Sequence, residues 1–283
     1  MPEVRVCDAD EERWWPPAAE LLRLVVPVAC AGLTPYDSGR FARFLAAGCA
    51  VPPGSRTLVL RAALADGRLA GVADWRLLGP VLFLNGVAVA GDQRRAGIGR
   101  HLLADGVEVA RAAGVSAIEL DVADDNAAAA ALYQRMGFQA VGGSTWWALD
   151  GGAASGPGEG RLAGAAAGTP PVPTDAATSP GWRLRTWPAF SAHHAAYGFG
   201  DLQVSQGDGV LDVRVLAGGW RVSGGASDLS ATDDAGTLAT LMAALAPIVP
   251  GGRPARVFTA GETRPGGPPG PVLAAFRRLR LDL

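Results

Sequence analysis

The segment Asp92-Gln93-Arg94-Arg95-Ala96-Gly97-Ile98-Gly99-Arg100 joins a run of strand character, residues 81–90, to a run of helical character, residues 98–113. A strand that ends in a glycine-bearing turn and enters a helix must place the first helical N–H groups at one spot. These groups have no intrahelical acceptor, and the helix dipole favours negative charge there. Gly97 and Gly99 carry no Cβ, so an anion can approach the backbone closely. Arg94-x-x-Gly97-x-Gly99 therefore predicts a pyrophosphate cradle and a nucleotide-bearing ligand. A plain left-handed turn ahead of a helix is the alternative for this segment taken alone. Two other phosphate motifs fit poorly: no Gly-Lys-Ser/Thr occurs, and the dinucleotide fingerprint lacks its third glycine.

The sequence downstream narrows the choice. Residues 117–122 alternate like a strand, Asp124-Asp125-Asn126 supplies a turn and a helix cap, and an alanine-rich helix over 127–136 stops at Gly137-Phe138. The composite Leu120-Asp-Val-x-x-x-Asn126-x-x-Ala-x-x-Leu132-Tyr133-x-x-x-Gly137-Phe138, following Arg94-x-x-Gly97-x-Gly99, resembles the GCN5-related N-acetyltransferase (GNAT) superfamily. The resemblance covers roughly residues 3–150. It implies an α/β fold with a mixed sheet in the order β-α-α-β-β-β-α-β-α-β. The residues supply matching elements. Strands are expected over 4–7, 57–62, 69–77, 81–89, 117–122 and 144–149. A helix enters at Pro16-Pro17 and runs to 24, a second is capped by Asp37 and runs to 46, and Asp66-Gly67 makes a hairpin turn.

The resemblance also implies a chemistry, acyl transfer from acetyl-CoA (or another acyl-CoA) as co-substrate to an amine, by direct attack in a ternary complex and without a metal. Backbone N–H groups of Arg95, Ala96, Gly97, Ile98, Gly99 and Arg100, with Arg94 at the head of the motif, would hold the pyrophosphate. Val87 to Val89 would pair with the pantetheine arm as an added strand, and the Val89 N–H would polarise the thioester carbonyl. Asn126 would contact the cofactor arm and support its helix. Tyr133 is expected as general acid toward the departing thiolate. Glu119 and Asp121 share a strand face and are the candidate bases; Asn85 lies where some relatives carry an acidic base, which an amide cannot replace. His101 reads as a helix-surface residue. His193-His194 lack a third ligand for a metal.

Composition sets the outer bounds. A net charge of −2 over 283 residues gives no whole-chain attraction to nucleic acid or to an anionic membrane. All 25 basic residues are Arg, as codon bias in a GC-rich genome produces. Three cysteines without metal-type spacing, an acidic N-terminal stretch and no long apolar run predict a cytoplasmic protein with reduced thiols. Residues 151–181, nearly all Gly, Ala, Pro, Ser or Thr, read as a linker. It separates an acetyltransferase domain over 1–150 from a second, smaller unit over 182–283. Within the second unit, residues 235–243 align with 96–104, and 274–279 align with 131–136. That weak repeat, for which chance similarity in an alanine-rich chain is the alternative, predicts a degenerate GNAT-like domain without a cofactor site. In it Leu238 stands for Gly99, Asp233 for Arg94 and Phe276 for Tyr133. The aromatic residues Trp14-Trp15, Tyr36, Phe41, Phe44 and Trp146-Trp147 read as acceptor-pocket walls or as core. A small-molecule amine is the expected acceptor. An acyl-CoA sensor without turnover, and a protein acetyltransferase that docks through the second unit, are the alternatives. Oligomeric state stays open.

Overall fold

A computed structural model of the chain describes residues 4–149, 181–224, 235–262 and 270–283. The 151–181 linker (but for residue 181) and Asp233 lie outside the described residues. The rest forms two compact units. The first holds Met1–Val28, Gly39–Ser144 and Ala275–Leu283, and the second holds Ala29–Ser38 and Thr145–Ala274. These boundaries differ from a cut at the linker, since the last strand counts with the first unit and a short early loop with the second.

The first unit runs β1 (Val4–Asp8), α1 (Trp15–Arg23), α2 (Phe41–Cys49), β2 (Leu58–Ala65), β3 (Arg68–Leu78), β4 (Val81–Val89), α3 (Ile98–Ala112), β5 (Ala117–Ala123), α4 (Ala127–Arg135) and the start of β6 (Gln139–Ala148). Strands β1 to β4 form an antiparallel meander, and β5 joins β4 in parallel. The β2–β3 hairpin turns on Asp66 and Gly67, both at positive φ (49° and 73°), as an Asp-Gly type I′ turn requires. Alternation along β3 sends Trp75 to one face, where it meets Gly106 of α3, and Arg76 to the other, over the Phe44 ring of α2. A Cβ at Gly106 would lie 2.1 Å from the Trp75 ring, so α3 reaches the sheet only because that position is glycine. The core on this face gathers Trp75, Leu82, Leu84, Ile98, Leu102, Ile118 and Leu120, together with Tyr133 of α4.

Two expected elements differ. Asp37 does not cap α2. It closes a 3-10 turn over Pro35–Asp37, accepting from the Thr34 N–H (3.2 Å) and hydroxyl (2.8 Å), and α2 starts only at Phe41. Residues 274–279, aligned with the Tyr133 helix, are not helical but lie in strand β12 (Val272–Asp282). That strand pairs antiparallel with β5, from Phe276 opposite Ala123 to Asp282 opposite Ala117. Phe276 is thus no counterpart of Tyr133. The sequence carries the signal in Arg278-Leu279-Arg280-Leu281-Asp282, a strict polar–apolar alternation of period two, which a helix could not sort onto two faces.

The second unit contains β7 (Trp182–Leu184), α5 (Trp187–Tyr197), β8 (Gly200–Gln206), β9 (Gly209–Leu216), β10 (Gly219–Gly224), α6 (Ala235–Leu245) and β11 (Arg256–Gly261). Strands β7 to β10 again form an antiparallel meander, and β11 is parallel to β10. Residues 145–148 of β6 then flank β11 antiparallel, as β12 flanks β5. The two units therefore share one topology, and α6 holds the place of α3 as the repeat of 96–104 in 235–243 predicts. Leu238, expected in place of Gly99, is buried in this unit's core beside Leu241 and Trp220. Among the described residues no helix follows β11. No helix among the described residues is long and apolar enough to cross a membrane.

Candidate active site

The site begins where β4 leaves β5. The two strands pair from Val81 opposite Ala117 to Leu84 opposite Leu120 and then separate, while β4 stays on β3 as far as Val89. At the point of departure the β3–β4 register shifts between Asp74 and Trp75, and Asn85 is the extra residue. Beyond it, the Ala90 N–H donates to the Ala70 carbonyl at 2.9 Å. Because antiparallel pairing alternates, Ala88 and Gly86 also face β3, and the N–H and C=O groups of Val87 and Val89 face the gap. An extended ligand can therefore add to this edge as a further strand.

The gap leads to the start of α3. After a 3-10 turn over Gly91–Gln93, Arg95 (φ 66°) and Gly97 (φ 80°) adopt left-handed conformations, which turn the chain sharply into the helix. The first α3 amide to find a carbonyl is His101, which donates to Gly97 O at 3.1 Å. Among the described residues the N–H groups of Ala96, Gly97, Ile98, Gly99 and Arg100 have no acceptor, and no side chain caps the helix. A surface depression here is lined by Arg95, Ala96, Gly97, Arg100, His101 and Ala104. Arg94 does not line it. Arg94, Arg95 and Arg100 are exposed and have no ion-pair partner among the described residues, so the electrostatics favour a polyanion. Ile98 buries its side chain in the core, leaving its backbone to the cradle.

α4 closes the third side. A Cβ placed on Gly99 would lie 3.4 Å from Leu132 Cδ2 and 3.9 Å from Val89 Cγ2, so the cradle, the end of β4 and α4 meet at this glycine. Asn126 caps α4, accepting from the Ala129 N–H at 3.1 Å; that is the helix-supporting half of its expected role. Tyr133, next to Leu132, is 5% exposed and edge-on to Phe138. Burial pushes its phenol from an ordinary 10 up to about 12, so it stays protonated at neutral pH. Between pH 10 and 12 the folded protein keeps this proton while the unfolded chain gives it up. Stability fully present below pH 10 is thus lost as the pH rises through about 12. Thermal melts at pH 9 and 11 check this: the fall in Tm between them is expected to be smaller in Tyr133→Phe, and an equal fall would exclude the linkage.

The two candidate bases are each held by an arginine. Glu119 is paired with Arg280 (2.9 Å), and Asp121 accepts two bonds from Arg278 (both 2.8 Å), each from the residue directly opposite on β12. Such pairs tie the carboxylate lone pairs to guanidinium groups. The sequence reading missed Asp74, which is fully buried in β3 and accepts from Arg76 (2.8 Å) and from the Asn85 side-chain amide (3.0 Å). An Asp inside the apolar run Leu69-Ala-Gly-Val-Ala-Asp74-Trp75 was the available signal, because a carboxylate enters such a strand only with partners. Among the aromatic residues, Trp14, Tyr36, Phe41 and Trp147 are buried core, and Trp146 stacks on Phe258 at 4.9 Å. His193 bonds the Phe199 carbonyl through Nδ1, and the described residues contain no cluster able to hold a metal.

The family model for the acetyltransferase (GNAT) family matches residues 30–138, the stretch that spans β2 to α4 and every element of this site. Residues 30–138 therefore match a GNAT acetyltransferase domain. Among solved structures, a tandem GNAT protein from the clavulanic acid biosynthesis pathway matches the whole chain (TM-score 0.60, 16% identity, 100% of this chain and 98% of that one). The two units thus have a tandem GNAT fold. Single-domain matches include the ribosomal-protein-S18-alanine N-acetyltransferase of Escherichia coli (TM-score 0.39, 22% identity, 50% and 81% of the two chains). The PaiA N-acetyltransferase of Thermoplasma acidophilum in complex with coenzyme A also matches (TM-score 0.40, 15% identity, 49% and 91%). No curated protein matches the sequence. The first unit fits coenzyme A on its own features: a row of N–H groups without acceptors among the described residues for the pyrophosphate, three exposed Arg beside it, and an open strand edge leading inward.

Proposed function

We propose that the protein is an N-acyltransferase that moves an acetyl or other short acyl group from CoA to the amine of a small molecule, by direct attack in a ternary complex. The observation that carries this reading is the continuity of the open β4 edge at Val87 and Val89 with the acceptor-less N–H groups of residues 96–100. Acetyl-CoA, when bound, supplies an activated acyl thioester. The residues of the chain do the rest. Ala96 to Arg100 hold the pyrophosphate through their backbone, Arg94 adds positive charge nearby, and Val87 pairs with the pantetheine arm. The Val89 N–H donates to the thioester carbonyl oxygen, where negative charge grows as the amine attacks. The amine nitrogen forms the new C–N bond, the C–S bond breaks, and the sulfur takes a proton from Tyr133 Oη. The proton lost by the amine nitrogen passes to solvent, from which the Tyr133 phenol is restored. Glu119 and Asp121, bound to arginines, do not serve as bases in this reading.

Replacing Tyr133 by Phe is expected to lower kcat by about 10²–10⁴-fold with the KM for acetyl-CoA unchanged, as loss of a proton donor does when transfer limits turnover. An unchanged kcat would remove Tyr133 from the chemistry. The function itself is tested by calorimetric titration with acetyl-CoA, followed by an assay of CoA thiol release with butylamine, benzylamine, spermidine and L-lysine. One site per chain and amine-dependent release are expected. The paired carboxylates favour one other reading, an acyl-CoA sensor without turnover. Tight binding with no release, to these amines or to a lysine-bearing peptide, would establish that reading instead.

A further inference from the structure

The second unit carries an arginine whose charge is unmet among the described residues. We infer that Arg221, on β10, binds the carboxylate of a small organic acid, at a site built from β8, β9 and β10 of that unit.

Alternation along these strands sends Leu202, Val204, Val213, Trp220 and Val222 into the core. It therefore puts Asp201, Gln203, Asp212, Arg214, Arg221 and Ser223 on the opposite face. The strand registers set these side chains in two rows. Asp201, Arg214 and Arg221 stand directly opposite one another across the three strands, and Gln203, Asp212 and Ser223 form the next row. In the second row Asp212 accepts from the Gln203 amide at 3.2 Å. In the first, Asp201 accepts two bonds from Arg214, at 2.6 and 2.8 Å, so both its oxygens are committed to that guanidinium. Arg221 is left directly opposite a like charge, an arrangement that destabilises a strand pair.

The other half-buried arginines of this face are matched, Arg214 by Asp201 and Arg256 of β11 by the carbonyls of Ala29 and Ala31. Arg221 makes no hydrogen bond or ion pair among the described residues. Opposite it on β11 stands Phe258, fully buried and stacked on Trp146, which offers no acceptor. Burial, and then the charge of Arg214, hold the Arg221 guanidinium below the ordinary arginine range, against the pull of Asp201 and Asp212. Such a group gains from an anion that meets its planar fork of donors, and Arg221 is only half-buried, so a ligand can reach it. Asp201 and Asp212 decide which anion that is. They repel a phosphate carrying about 1.5–2 negative charges more strongly than a carboxylate carrying one. A carboxylate also presents two oxygens in one plane, the geometry that a guanidinium fork matches.

The test is calorimetric titration of the full chain with benzoate, succinate and L-glutamate at constant ionic strength, with inorganic phosphate alongside. At least one carboxylate is expected to bind at one site per chain, and more tightly than phosphate. Arg221→Gln should weaken that binding about 10–100-fold, the value of charge-assisted hydrogen bonds. Arg221→Lys keeps the charge without the fork and should recover only part of the loss. If the glutamine variant does not fold, the lysine variant carries the test. Without ligand, Arg221→Gln is expected to melt at or above the wild-type temperature, because it removes a like charge opposite Arg214. A lower midpoint would make Arg221 a structural residue and overturn the reading of an unmet charge. Carboxylate binding undiminished in Arg221→Gln overturns the inference, as does a wild-type protein that binds none of the three or binds phosphate more tightly than all of them. Acetyl-CoA should bind Arg221→Gln as it binds the wild type, so any of these failures leaves the acyl-transfer reading standing.

Discussion

A chain cut ahead of β12, ending at residue 271, is expected to lose the folded first unit and not merely a tail. Leu279 is 4% exposed in the first unit's core, and Leu281 packs against that core. Burying each such side chain stabilises by roughly 1.5–3 kcal/mol. The cut also removes the whole ladder between β12 and β5 and the partners of Glu119 and Asp121, Arg280 and Arg278. The ion pairs are partly exposed and contribute little individually, but the leucines and the ladder together are a large part of the roughly 5–15 kcal/mol that holds a domain folded. Circular-dichroism melts should show a Tm lower by more than about 10 °C, or no cooperative transition. A truncated protein that melts within about 2 °C of the full chain would show that β5 tolerates an open edge.

Gly99→Leu is expected to abolish acetyl-CoA binding while leaving the fold intact. The Cβ of any residue here would already touch Leu132 and approach Val89, so a longer side chain must extend over the cradle, where the N–H groups of residues 96–100 face outward. An affinity loss of at least about 100-fold, or about 2.7 kcal/mol, should appear in calorimetric titration. The thermal midpoint should hold or rise, because leucine favours a helix where glycine does not. Affinity within threefold of wild type would mean that the phosphates bind away from the start of α3.

The cradle and the hairpin were legible because each is fixed by neighbours in sequence. Asp66-Gly67 needs two positive φ angles and Gly97 needs one, and few residues other than Gly, Asn and Asp adopt them readily. The helix cap at Asn126 is equally local. What was illegible depends on residues far apart along the chain. Asp37 has the chemistry of a helix cap, but Thr34 stands close enough to capture it first. Glu119 and Asp121 look like free strand carboxylates until Arg280 and Arg278 arrive more than 150 positions later. Ala274 to Leu279 matches a helix in composition; the alternation from Arg278 to Asp282 marks a strand, but the strand it pairs with, β5, lies far back in the chain. The Asp74–Asn85 pair likewise appears only once the register shift between β3 and β4 is known.

The placement of β12 also bears on how such a chain is made. Synthesis runs from the N-terminus, so β5 leaves the ribosome well before the strand that will cover its edge. At ordinary rates of elongation the interval is on the order of ten to thirty seconds. Throughout it, the nascent first unit carries an unpaired strand edge and two acidic side chains still waiting for their arginines. Like charges along an uncovered edge, here those of Glu119 and Asp121, disfavour pairing with another strand.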